Sequence, residues 1–223
     1  MNKKAMLTIG AVAIALIAVL GFNASQKTKA PTVASLDGDA YERSYSPSIG
    51  PDNAAVTVVD FFDPACEACR AFYPYVKEML KRPPEDVRLV LRYAAFHEGS
   101  DTVIQMLEAA RLQKLFEPVL EALLKDQSQW ASHHSPNIDR AWELAQAAGL
   151  DIQQAKETIK SGKFDQLLKQ ENVDIRSLKV SKTPTFFVNK MTLESFGPDQ
   201  LYSLVQKEIK NKCFNNHMLN FVI

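Results

Sequence analysis

The chain has 223 residues, 46% of them hydrophobic, and its 26 basic and 26 acidic residues leave no formal net charge. That composition excludes intrinsic disorder and gives enough chain for one ordinary domain with a sizeable core, or two small ones. The charge balance, with no clustered Lys/Arg face, argues against a nucleic-acid partner, and three cysteines are too few for a disulfide-built scaffold.

The first segment, "MNKKAMLTIGAVAIALIAVLGF", places Lys3 and Lys4 ahead of an uncharged apolar run from Ala5 to Phe22, the pattern of a secretory n-region and h-region. At 18 residues the run sits at the lower limit for spanning a bilayer as a helix. Phe22 spoils the small-x-small site that a cut after Ala24 would need, and no cysteine follows to carry a lipid. Residues 1–24 are therefore expected to form a hydrophobic helix that anchors the chain, with a cleaved signal peptide as the alternative and the remainder exported in both cases. Residues 25–40, polar and small with one proline and one glycine, read as a flexible tether.

Residues 41–54 are broken by Pro47, Gly50 and Pro51 and leave room only for a short edge strand. "AVTVVDFFD" (55–63) is a continuous apolar and β-branched run, the mark of a strand buried on both faces. A helix is expected from Cys66 to about Lys81, stopped by "RPPED", and a second strand in "VRLVLRYAAF" (87–96). Strand, helix and strand in such close succession make a βαβ unit with a parallel pair.

From Val103 to Leu124 apolar residues recur at three- and four-residue spacing, with Pro118 tolerable only near a helix start. Ile138, Ala141, Trp142, Ala145 and Ala148 repeat the spacing up to Gly149, and a third piece covers 151–161. Together they form a helical block inserted at about 98–165. After a less regular helical stretch (164–179), "TPTFFVNK" (183–190) reads as a strand entered through a proline, and "MTLES" as its partner across a short turn. "GPDQLYSLVQKEIKNK" is a helix begun by Pro198 and Asp199, and residues 213–223 are left as a polar tail.

The chemistry concentrates in Cys66-Glu67-Ala68-Cys69, placed after a buried strand and at the start of a helix. A helix N-terminus offers unpaired N–H groups and a partial positive charge, which favour a thiolate at the first cysteine. One turn brings the second sulfur within reach of the first, so a mixed disulfide can be resolved internally. Cys66 is then the attacking thiol and Cys69 the resolving one. The pair also has a metal reading, as half of a zinc site completed by Cys213 and His217, or as a Cu(I) dithiolate. Zinc half-sites usually sit on knuckle turns, whereas this pair opens a helix. Asp60, between Val58, Val59, Phe61 and Phe62, is expected to be a buried carboxylate. Phe72, Tyr73 and Tyr75 read as helix core and groove lining, and His97, His133 and His134 as surface residues without a role.

The strand-C-x-x-C-helix element, the helical block and "KTPTFFVN" together resemble the DsbA-like thiol-disulfide oxidoreductases, the branch of the thioredoxin superfamily with a helical insertion. The resemblance implies an α/β thioredoxin fold over residues 41–212, a central mixed sheet flanked by helices. It implies that Pro184 is cis and lies against the cysteine pair, with Thr183 offering backbone to an extended substrate peptide. Asp60, six residues before Cys66, matches the buried acid associated with proton transfer at the deeper cysteine, and Pro74 the helix-kinking proline. The implied partners are cysteine-containing proteins and a membrane or periplasmic redox partner, with the dithiol as the only redox group and no bound cofactor or metal. Glu67-Ala68 departs from the Pro-His of the strongly oxidising members and the Gly-Pro of thioredoxins, which leaves oxidase, reductase and isomerase directions open. A metal-handling or chaperone-like binding module that keeps the fold without turnover is the rival reading.

Overall fold

The computed structural model describes residues 38–81, 86–193 and 195–220, apart from the side chains of Cys213 and residues 215–220. The expected anchor at 5–22 and most of the expected tether at 25–40 lie outside the described residues. No described helix is long and apolar enough to cross a membrane.

Five strands, β1 (Ser48–Ile49), β2 (Val56–Phe62), β3 (Val87–Tyr93), β4 (Thr185–Val188) and β5 (Met191–Thr192), form one mixed sheet in the order β1-β3-β2-β4-β5. β2 and β3 are parallel and the remaining pairs antiparallel, with Asp60 opposite Leu91 on one side and Phe186 on the other. The run of Val and Phe residues in β2 is explained by burial on both faces. Asp63, expected inside this strand, instead lies just beyond its end, because Pro64 lacks the N–H that a continuing ladder needs. β4 turns into β5 through Asn189 and Lys190, both at positive φ (47° and 69°), the conformation of the two-residue hairpin turn that matches strand twist.

Helix α1 (Glu67–Met79) joins β2 to β3. The inserted block comprises α2 (Ser100–Leu112), α3 (Phe116–Lys125), a 3₁₀ turn (Gln127–Gln129), α4 (Ile138–Ala147) and α5 (Ile152–Lys160). The stretch expected to be one helical run over 103–124 divides at Lys114, whose φ of 62° ends α2, and Pro118 falls in the first turn of α3. Asn137 and Asp151 cap α4 and α5 by accepting from the Arg140 and Gln154 N–H groups, each cap worth about 1 kcal/mol. Helix α6 (Asp165–Ser177) leads back to β4, and α7 (Pro198–Asn220) closes the described chain. No Pro or Gly interrupts 199–220, so the helix continues through residues 213–220, in place of the polar tail expected there.

Side-chain alternation assigns the two faces of the sheet. Val58, Phe62, Leu89, Leu91, Phe186 and Val188 pack with α1, α7 and the insertion in the larger core, whereas Val59, Phe61, Val90 and Phe187 pack with Ile175 and Val180 in a smaller one. The insertion is also tied to the sheet by polar groups: fully buried Glu108 on α2 accepts from the Tyr93 hydroxyl at 2.8 Å and from Arg111.

On the smaller-core side, fully buried Arg92 donates through Nε to Glu171 at 3.1 Å and through Nη2 to Asp174 at 2.7 Å, both on α6. Arg43 donates to both oxygens of the same Asp174 at 2.9 and 2.6 Å. Buried charges hold only when paired in this way, since removing one partner leaves the other stranded at a cost of about 3 to 5 kcal/mol. The pairing also explains the weak helical signal at 164–179, because two of the buried positions of α6 are Glu171 and Asp174 instead of apolar residues.

Candidate active site

Cys66 stands at the N-cap of α1 with extended backbone (φ −74°, ψ 120°), and Cys69 lies one turn deeper, both as free, buried thiols. The side chains differ in environment. The Cys66 sulfur lies 3.3 Å from the Thr183 carbonyl oxygen, which accepts its proton only while Cys66 is a thiol. Cys69 is more deeply buried, and its sulfur accepts from the Asp63 backbone N–H at 3.5 Å.

These surroundings separate the two acidities. The Cys69 thiol hydrogen-bonds to the Cys66 sulfur and, against the opposing effect of burial, brings the Cys66 pKa down to about 5; the Thr183 side chain and the Cys69 and Ala68 N–H groups act in the same direction. Burial pushes Cys69 far the other way, well above the ordinary thiol range, and the neighbouring Cys66 and Asp60 add to it. Cys66 is therefore the ionised sulfur at neutral pH and Cys69 the protonated one. Absorbance of the thiolate near 240 nm in the reduced protein should rise with a midpoint close to pH 5 and contain one thiolate. A midpoint near the ordinary value of 9.0 would contradict the described environment. A depressed pKa stabilises the reduced fold fully above 9.0, and that contribution is lost as pH falls through about 5.

Asp60 is 5% exposed and sits on the same sheet face as Val58 and Phe62, turned toward the larger core that contains both cysteines. Its Oδ1 is buried without a hydrogen-bond partner. Burial first, and then the Cys66 charge, raise its pKa to about 8. The site thus holds a carboxyl group able to exchange a proton near neutral pH.

The peptide bond between Thr183 and Pro184 is cis, and this loop lies against Cys66. Beside it, Phe72 of α1 is within 5.5 Å (ring centroids) of Phe186 and 4.5 Å of Phe196, while Tyr75 on the next turn is 57% exposed. The aromatic residues read as core and groove lining divide accordingly, with Phe72 and Tyr73 buried and Tyr75 open to solvent. Pro74 lies within α1, and Glu67 and Ala68 are both exposed on its first turn.

Two further groups at the site carry no apolar or spacing signal in the sequence. Fully buried Asp63 accepts from the Ala65, Phe96 and His97 N–H groups, the Ser100 hydroxyl and the His97 ring, so His97 has a partner and is not a bare surface residue. Buried Gln127, from the 3₁₀ turn of the insertion, donates to the carbonyls of Pro64 at 2.8 Å and Cys66 at 3.1 Å. The dipeptide Asp63-Pro64 is a turn initiator and was the one available clue. Gln127 had none. The Cys213 and His217 side chains of the zinc reading lie outside the described ones, and among the described residues no three His, Cys, Asp or Glu side chains are grouped to hold a metal ion.

A family model described as thioredoxin matches residues 42–207. A Rickettsia typhi protein whose name contains the words protein-disulfide oxidoreductase is 21% identical over 169 residues; the match covers 74% of this chain and 62% of that relative, so the chain spans less than two thirds of its length. Disulfide bond formation protein D of Bacillus subtilis is 24% identical over 185 residues, covering 74% of this chain and 78% of the relative. Among solved structures, a thioredoxin-like oxidoreductase from Silicibacter pomeroyi superposes with a TM-score of 0.66 at 27% identity, covering 78% of this chain and 98% of the other.

Proposed function

Because the chain belongs to the thioredoxin family and carries the helical insertion of its DsbA-like branch, we propose that it is a protein thiol-disulfide oxidoreductase working through the Cys66–Cys69 couple. The observation that carries this reading is the pair of unequal thiols, one ionised at a helix N-terminus against the Thr183–Pro184 loop and one protonated beneath it. In the oxidising direction a substrate thiolate attacks Cys66 of the Cys66–Cys69 disulfide, a new intermolecular S–S bond forms, and the electron pair of the broken bond leaves on Cys69. A second substrate thiolate then attacks the substrate sulfur of the mixed disulfide and releases Cys66 as a thiolate. Two electrons pass from the substrate dithiol to the protein, and the reverse sequence reduces a substrate disulfide.

A Cys66 thiolate stable down to about pH 5 stabilises the reduced form and so favours the oxidising direction. Thr183 offers backbone, and the open ring of Tyr75 offers apolar surface, to an extended cysteine-containing peptide. Asp60 is assigned the proton transfer at Cys69. The apolar run at 5–22, preceded by two lysines, supports placing the domain on the exported side of a membrane, where disulfides persist. Insulin reduction in the presence of a small thiol is the direct test. Turnover should be catalytic and abolished by alkylating Cys66, and the reduction potential should lie between about −270 mV, the thioredoxin value, and about −120 mV, that of DsbA. Insulin binding that survives alkylation, without turnover, would identify a chaperone-like module instead.

A further inference from the structure

Charge appears transiently on the Cys69 sulfur in either direction of exchange, because Cys69 leaves as a thiolate when the disulfide is opened and attacks as one when it is closed. That sulfur is deeply buried and, among the described residues, has no cationic side chain as a hydrogen-bond partner; its backbone donor is the Asp63 N–H at 3.5 Å. The direction of this N–H is fixed from several sides. The carbonyl of the same peptide unit, that of Phe62, accepts from Ala94 N–H at 2.9 Å beyond the end of β3. The Asp63 carbonyl accepts from Cys66 N–H at 3.1 Å. Its carboxylate is filled: Oδ1 accepts from Ala65 N–H at 2.9 Å and the Ser100 hydroxyl at 2.5 Å, and Oδ2 from the Phe96 and His97 N–H groups and the His97 ring at 2.8 to 3.0 Å. Gln127 fixes the following turn through the Pro64 and Cys66 carbonyls.

A surface turn needs none of this. Sequestering a carboxylate completely is costly unless every lone pair is used, and here the result is a rigid segment only three residues long between β2 and Cys66. We propose that Asp63 is a positioning residue whose anchored carboxylate aims its own backbone N–H at the Cys69 sulfur, so that Asp63 and Gln127 together preorganise a cradle for the charge that sulfur acquires during exchange. Preorganised N–H donors directed at developing charge act in this way on oxyanions, and sulfur is a larger acceptor of the same kind. The inference rests on the oxidoreductase reading and adds to it the group that stabilises Cys69. It also gives the insertion a part in the reaction, since Ser100 and Gln127 both belong to it.

The test separates the two thiols. Reaction of the reduced protein with an aromatic disulfide reports Cys66 in its first step, by formation of the mixed disulfide, and Cys69 in its second, by release of the second thiol. In Asp63→Asn the amide NH₂ cannot accept, the cluster around Oδ2 loses its acceptor, and the N–H is freed to turn. The second step should slow about tenfold, the value of one misaligned hydrogen bond to a charged sulfur, while the first step and the pH midpoint of the Cys66 thiolate stay within about twofold of the parent. Ser100→Ala removes one donor from the cluster and should slow the second step about threefold; it carries the same test if Asp63→Asn does not fold. An unchanged second step in a folded variant would overturn the proposal, as would an equal slowing of both steps, which marks general loosening. If the parent protein forms no mixed disulfide at all, the oxidoreductase reading fails, and this inference with it.

Discussion

Cys66→Ser is expected to reduce disulfide exchange to background, and Cys69→Ser to retain the first step but accumulate protein joined to its substrates. The asymmetry follows from the environments of the two sulfurs. Cys66 is the ionised sulfur at the helix start, and the other described free thiol, Cys69, is held protonated. Cys69 lies one turn deeper and, in the proposed exchange, resolves the mixed disulfide. Adducts of Cys69→Ser should appear as discrete bands on non-reducing gels of cells expressing the protein and disappear with reductant. Equal adduct formation by both variants would reverse or abolish the assigned order. The dithiol lies within the larger core, where a buried hydroxyl costs stability, so thermal unfolding should separate lost chemistry from lost structure in both serine variants.

Asp60→Asn is expected to have the second largest effect, in opposite senses on stability and rate. The native carboxyl holds its proton up to about pH 8, whereas the unfolded chain releases it near 3.8. Between those values the folded state binds more protons than the unfolded one, so the parent protein loses stability as pH rises. The asparagine variant does not suffer this loss. It should be equally stable near pH 4 and more stable by about 5 kcal/mol at pH 8, roughly 10 to 20 °C in Tm. Resolution of the mixed disulfide should nevertheless slow about a hundredfold near neutral pH, the low end of what a positioned general base contributes. Equal resolution rates in the two proteins across pH 6 to 9 would reduce Asp60 to a structural residue. A variant less stable than its parent at pH 8 would show that the buried Oδ1 has a partner in solution.

What was legible in the sequence is what depends on short-range pattern. The central strands could be read because burial on both faces imposes an unbroken apolar run, and α1 because its cysteines fall at a helix start. The inserted helices followed from 3.6-residue spacing, although the break at Lys114 had no residue signal, since lysine rarely takes positive φ. Asp60, Cys66, Cys69, Thr183 and Pro184 were named individually, and the structure brings the Thr183–Pro184 loop against a dithiol more than a hundred residues earlier in the chain. Asp63, Gln127 and Arg92 stayed hidden for one reason. Each is a polar residue with partners far away in sequence, such as Asp63 and Ser100, Gln127 and Pro64, or Arg92 and Asp174, and beyond the turn signal of Asp63-Pro64 nothing in a local window marks them as buried.

The two faces of the sheet also divide what variation can reach. Glu67 and Ala68, the residues between the cysteines, point into solvent and make no contribution to the buried core. The charges that fasten α6 and Arg43 to β3 lie on the opposite face from Asp60 and the dithiol. A lineage carrying this chain is therefore free to exchange the dipeptide and retune the couple without repacking the interior. Changes at Arg92, Glu171 or Asp174 have no such freedom, because each needs a simultaneous answer from its partner. Descendants should thus diverge in redox character much faster than in architecture.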